Sequence, residues 1–271
     1  MAGSATLKIG PTKDRASAIS TANAETIVVR GRDLCRDLIG SLSFTQYFWL
    51  LVTGEAASAA QARVLDACLV AIAEHGLVPS VQAARMTYAA GPEAMQGAVA
   101  AGILGCGSVI LGSAEDAGRF LSDVRARADG GDLAAAARAA IEDCRAAKRP
   151  FPGYGQPRHR TADPRAARVL TVAAEAGLAG PHAAAARAAE RAIVEVTGKS
   201  LVLNVSGAIP AVLLDAGFPL AGMKGIPILA RTASLVAHLV EEQARAIGFA
   251  LSEAAETGIA YDGAVPPGFT A

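Results

Sequence analysis

The chain has 271 residues, 52% of them hydrophobic and only 4% aromatic, with 25 basic side chains against 25 acidic ones. That length supports a large core in one or two domains. The charge balance excludes a generally basic, nucleic-acid-binding surface, and the scarcity of aromatics favours packed helices over β-sandwiches.

In chain order, "TLKI" (6–9) and "TIVVRG" (26–31) read as short strands. "SFTQYFWLLVTG" opens on a Ser43 cap and stops at Gly54. "SAAQARVLDACLVAIAEHG" places Ala62, Leu65, Cys68, Leu69 and Ile72 on one helical face and stops at Gly76. Further helices fit 80–88, 93–106, 114–129 and 132–149. The apolar run 94–112 is rich in glycine and alanine but poor in bulk, so it reads as a packed core helix and not a membrane span. Cys35, Cys68, Cys106 and Cys144 form no CxxC pair or metal-like spacing, which implies reduced thiols and no metal site. With no basic-then-apolar start, the expected location is cytoplasmic.

"RPFPGYGQPRHRTA" (149–162) cannot be helical, because proline removes donors and glycine breaks the period. Asp163 then caps a helix whose first position is Pro164. "PHAAAARAAERAIVEVTG" (181–198) is another helix, and one long pattern runs from 226 to 258. The tail "AYDGAVPPGFTA" (260–271) reads as a surface extension. The proline-glycine loop near 150 and the glycine-rich stretch 204–219 look like seams where backbone comes close to something else. The architecture is mainly α.

The loop is also basic. Arg145, Lys148, Arg149, Arg158, Arg160, Arg165 and Arg168 stand within 24 residues beside His159, with Asp163 the only acid. Such a cluster suits phosphate groups, or it is a solvated helix end. Arg165, at a helix start where the dipole already favours anions, suits a carboxylate. The alternative is an ion pair with Asp163. His182 and His238 fall in helical patterns as packing or surface histidines.

"PGYGQPRHRTADPR" (152–165) resembles the GxGHxxxxxxxDPR loop of the citrate synthase superfamily, and is most similar to its short citryl-CoA lyase branch. "VVRGRDLCRDLIGSLSFTQYFWLLVTGE", "AEHGLVPSVQAAR", "LNVSGAIPAVLLDAGFP" and "ILARTASLVAHLVEEQ" resemble further stretches of that family, in order. The resemblance implies a two-domain, nearly all-helical homodimer with the active site in a cleft between domains. The large domain would be 1–112 and 204–271, and the small one 113–203. It implies a carbon-carbon bond made or broken between the acetyl group of acetyl-CoA and a 2-oxo acid such as oxaloacetate, with coenzyme A as the carrier and no metal. By the same resemblance, His75 contacts the oxo-acid, and Arg165 and Arg231 bind its carboxylates. Arg158, His159 and Arg160 border the coenzyme A site.

Two positions depart from the pattern. The loop histidine that donates to the substrate oxygen is Gln156, which can donate a hydrogen bond but not shuttle a proton. The aspartate base of the family's "NVDG" is Ser206, a poor base without an activator. His159 is the nearest substitute, with Glu74 and Asp163 as others. The leading expectation is cleavage of a 3-hydroxy-3-carboxyacyl-CoA into acetyl-CoA and a 2-oxo acid. The alternatives are condensation in the reverse direction, a member that only binds a CoA thioester or dicarboxylate, and one with altered chemistry.

Overall fold

A computed structural model describes residues 16–107, 111–155 and 161–269. The chain forms two compact units, residues 1–57 and 58–271. In the first, strands β1 (Ser20–Ala22), β2 (Ile27–Val29) and β3 (Arg32–Asp33) pair antiparallel in that order. "TIVV" is therefore a strand as read, whereas "TLKI" lies outside the described residues. Arg30 and Gly31 join β2 to β3 with φ of 49° and 77°, the positive values a two-residue hairpin turn needs. The Arg30 guanidinium donates through Nε and Nη2 to the Leu51 carbonyl at 3.0 and 2.6 Å, which fastens the hairpin to helix α1 (Phe44–Thr53). Ser43 and Gln46 form a reciprocal cap at its start, and Gly54 ends it in the left-handed region.

The second unit is helical: α2 (Ala59–Ala73), α3 (Pro79–Ala90), α4 (Met95–Leu104), α5 (Ser113–Ala128), α6 (Leu133–Ala146), α7 (Pro164–Glu175), α8 (Pro181–Thr197), α9 (Val205–Asp215), α10 (Gly225–Ala244) and α11 (Gly248–Gly258). Three details differ from the sequence pattern. α2 stops at Ala73, three residues before Gly76, because the Glu74 carboxylate takes the Gly76 N–H. The glycine-rich seam at 204 is itself a helix, α9, capped by the Asn204 side chain and tolerating Pro210 inside it. The long pattern from 226 is two helices, α10 and α11, because Glu242 accepts the N–H groups of Ile247 and Gly248 and starts a new helix there.

α9 is apolar nearly all round and buried along most of its length, the pattern of a core helix. It packs against α2, α5, α7 and α8, while α10 packs against α2, α3 and α4. At Gly102 of α4 a Cβ would lie 2.7 Å from Leu235 Cδ1 of α10, so the small residues of 94–112 serve close helix packing. No described helix is long and apolar enough to cross a membrane.

Candidate active site

Two helix starts converge on one carboxylate. At the start of α7, Asp163 caps the helix through Arg165 N–H at 3.1 Å. Its carboxylate also receives Arg165 Nε and Nη2 at 3.1 and 2.9 Å. The same group accepts the Val205 N–H at 3.0 Å, at the start of α9. One carboxylate therefore ties two helix starts together. This is not a surface ion pair: the Asp163 side chain is 0% exposed and that of Arg165 20%. The fork leaves the Nη1 of Arg165 without a partner among the described residues. Burial opposes the charge on Asp163, but the Arg165 guanidinium and the Val205 N–H outweigh it and hold the carboxyl below its usual value.

That shift fixes a pH dependence. A carboxyl whose folded value is depressed stabilises the fold above its unfolded value and stops doing so as pH falls through the folded one. Asp163→Asn should therefore cost about 2–3 kcal/mol at neutral pH, since it leaves a guanidinium and an N–H poorly satisfied. The gap from wild type should close in acid. Urea unfolding at pH 7 and pH 3 checks both.

The same carboxylate holds the N–H of Val205, the residue immediately before Ser206, the second residue of α9. Ser206 is half-buried, and its hydroxyl makes no hydrogen bond among the described residues. Beside it, the proline-glycine loop docks onto 202–207. Asn204 N donates to Gly153 O at 2.9 Å, Gly155 N to Val202 O at 2.8 Å, and Asn204 Nδ2 to Gly155 O at 2.8 Å. The two seams thus approach one another. A Cβ on Gly207 would stand 2.6 Å from Gly153 O. Tyr154 anchors the loop by donating to Ala186 O at 2.8 Å. Gln156, Arg158, His159 and Arg160, which follow, lie outside the described residues.

Arg231 of α10 is 6% exposed, and its Nη1 is buried with no hydrogen-bond partner among the described residues. Burial pushes its pKa down, the nearby Cys106 and Glu74 oppose that, and the positive charge of Arg165 adds to it. Arg231 is thus a buried guanidinium with one donor unsatisfied among the described residues. An unpaired buried cation costs several kcal/mol, and an anion that pairs with it removes that cost.

His75 sits half-buried in the turn after α2, between Glu74 and Gly76, whose φ is 76°. Glu74 accepts from Gly76 N, from Ser234 Oγ and, at 3.0 Å, from His238 Nε2. The turn carrying His75 is therefore fastened to the face of α10 that carries Arg231. The sequence reading missed this cluster, although Arg231, Ser234, His238 and Glu241 recur at helical spacing on α10. His238, read there as a packing or surface residue, belongs to it. His182 does pack: its Nδ1 lies 2.8 Å from Asp215, which caps α8. Part of the basic cluster is structural, with Arg168 paired to Glu175 and Arg145 donating to Val196 O. Among the described residues, no group of three or more His, Cys, Asp or Glu side chains could hold a metal ion.

The sequence matches a family profile described as citrate synthase, C-terminal domain, over residues 11–248. Comparison with curated protein sequences returns no match. Among solved structures, the chain is similar to citryl-CoA lyase from Hydrogenobacter thermophilus, with a TM-score of 0.83 and 32% identity over 94% of this chain and 97% of that one. It shares its fold with ATP citrate lyase from Methanothrix soehngenii, solved with citrate and coenzyme A, at a TM-score of 0.73 and 20% identity over 96% of this chain and 43% of that one. It also shares its fold with citrate synthase from Thermoplasma acidophilum, solved with carboxymethyl coenzyme A and oxaloacetate. There the TM-score is 0.62 and the identity 20%, over 74% of this chain and 53% of that one.

Proposed function

Because the chain belongs to the citrate synthase family, we propose that it cleaves a 3-hydroxy-3-carboxyacyl-CoA such as citryl-CoA into acetyl-CoA and a 2-oxo acid such as oxaloacetate. The observation that carries this reading is the buried Arg231, whose Nη1 has no hydrogen-bond partner among the described residues, with Arg165 the second proposed carboxylate ligand. A dicarboxylate half-substrate is the ligand that such a pair suits.

In the proposed reaction the hydroxyl loses its proton and becomes the carbonyl of the oxo-acid. The carbon-carbon bond breaks, and its electron pair passes to the acetyl carbon as an enolate, which takes up a proton. Arg165 and Arg231 hold carboxylates, while His75 and Gln156 donate to the oxygen that changes from hydroxyl to carbonyl. Arg158, His159 and Arg160 border coenzyme A. Ser206 stands where the family's base stands, and His159 is the candidate for moving the proton in its place.

The domain division belongs to the same proposal: a large part, 1–112 and 204–271, and a small part, 113–203, with the substrate between them. Mutual packing of α5, α6 and α8 supports the small part. Homodimer formation and a reducing, cytoplasmic setting are proposed with it. The resemblance supports the first, and four free cysteines support the second.

A second reading, a member that binds these ligands but has altered or lost chemistry, is favoured by one observation: a glutamine and a serine replace two proton-handling groups. Each such group contributes about a hundred- to ten-thousand-fold to rate. The test is incubation with citryl-CoA, following acetyl-CoA and oxaloacetate. The wild type is expected to release both, and His159→Ala to slow release by about a hundredfold or more. An inert wild type beside an active Gln156→His/Ser206→Asp double variant would establish the second reading instead.

A further inference from the structure

The polar stripe of α10 reaches past Arg231. Ser234 and His238 follow Arg231 by three and seven residues, so the three share one helix face over about two turns. Glu74 grips two of them: Ser234 Oγ and His238 Nε2 both approach its Oε2, the second at 3.0 Å. Its Oε1 accepts the Gly76 N–H. The carboxylate therefore closes the turn containing His75 and bolts that turn to the helix bearing Arg231.

His238 is itself held from behind, with its Nδ1 at 3.4 Å from Arg85 Nη1. A guanidinium can only donate, so Nδ1 is the acceptor and Nε2 of the neutral ring carries the proton toward Glu74. Arg85 in turn is buried and fixed by Glu241, Glu242 and the Arg245 carbonyl. Burial opposes ionisation of Glu74, but the bonds from Ser234, Gly76 and His238 outweigh it and hold the carboxyl below its usual value.

We propose that Glu74 is a positioning residue for the dicarboxylate half of the substrate. It fixes the His75 turn relative to Arg231 through Ser234 and His238, and does not touch the reacting atoms. The inference rests on the function proposed above. Its two physical effects have opposite signs, which makes it testable. As a charge, Glu74 repels an arriving carboxylate, so charge alone predicts that Glu74→Gln tightens binding. As a clamp, it meets three donors with two acceptor oxygens. An amide offers one acceptor oxygen and turns its own donors against the rest, so geometry predicts that Glu74→Gln weakens binding.

The experiment is calorimetry of the full chain with oxaloacetate and, separately, with coenzyme A, alongside citryl-CoA cleavage rates. Glu74→Gln is expected to weaken oxaloacetate binding by about tenfold or more and to lower kcat/KM at least as far. Coenzyme A affinity should stay within about twofold. Ser234→Ala should show a smaller loss in the same direction and add little when combined with Glu74→Gln. Oxaloacetate binding that is unchanged or tighter in Glu74→Gln overturns the inference, as does an equal loss of both ligands. Should Glu74→Gln fail to fold, Ser234→Ala decides, and unchanged oxaloacetate affinity there overturns it. A wild type that binds neither ligand overturns the proposed function and this inference with it. A wild type that binds both, beside an unaffected Glu74→Gln, overturns the inference alone.

Discussion

Arg231→Met is expected to stabilise the ligand-free protein while nearly abolishing turnover. Arg231 is almost wholly buried, its Nη1 has no partner among the described residues, and Arg165 repels it. Methionine fills a similar volume without a charge to desolvate. Replacing buried charged groups by apolar ones of like size is stabilising by about 1–4 kcal/mol in favourable cases, which is a few degrees in melting temperature for a chain of this size. The same change removes a buried charge from the proposed carboxylate site, which costs about 2–5 kcal/mol of ligand interaction. kcat/KM for citryl-CoA should therefore fall by about thirty- to several-thousand-fold. Oxaloacetate should raise the melting temperature of the wild type but not of the variant. Thermal unfolding with and without oxaloacetate, beside the cleavage assay, reads all three. A variant that melts lower than wild type would mean that Arg231 is satisfied in the resting protein, and the anion-site reading would lose its main support.

The second large effect concerns the contact between the two glycine-bearing seams. In Gly207→Ala the new methyl would stand 2.6 Å from Gly153 O, 2.7 Å from Leu203 Cδ1 and 2.9 Å from Gly153 Cα. Two of those atoms are backbone and cannot rotate away, so the loop must lift from α9. Overpacking costs about 1–3 kcal/mol, and each lost backbone hydrogen bond between 153–155 and 202–204 adds about 1 kcal/mol. The expected destabilisation is about 3–5 kcal/mol, or about 6–12 °C in melting temperature. Activity should fall further than stability, because the loop leads directly to Gln156. A variant that melts within a degree or two of wild type would show that the loop is not held against α9 in solution. Gly153→Ala should be as severe, since it adds strain at a φ of 86° to a contact of 2.7 Å with Gly207 Cα.

Much of the helical frame could be read from local rules. Ser43 and Asp163 were caps in the pattern and are caps in the fold, because a short oxygen-bearing side chain at a helix start satisfies a donor whatever surrounds it. The loop at 149–155 was non-helical for reasons internal to proline and glycine. The errors fell where a side-chain acceptor or all-round burial overrode the helical period. Glu74 ended α2 early with a carboxylate that also reaches α10, Glu242 cut one long helical pattern into two, and α9 was hidden because burial on all sides erases the amphipathic period.

The sequence alone determined which chemistry the chain carries. The order of its motifs marks the family, and the guanidiniums, imidazole, amide and hydroxyl at 165, 231, 75, 156 and 206 are set residue by residue. Only the tertiary structure decided which of them act on one another. Asp163 joins Arg165 to the start of α9, Glu74 joins the His75 turn to α10, and burial leaves one donor of Arg231 without a partner among the described residues. Those facts depend on hydrogen bonds between residues tens to more than a hundred positions apart and on water excluded by packing, and neither leaves a period or a spacing in the chain.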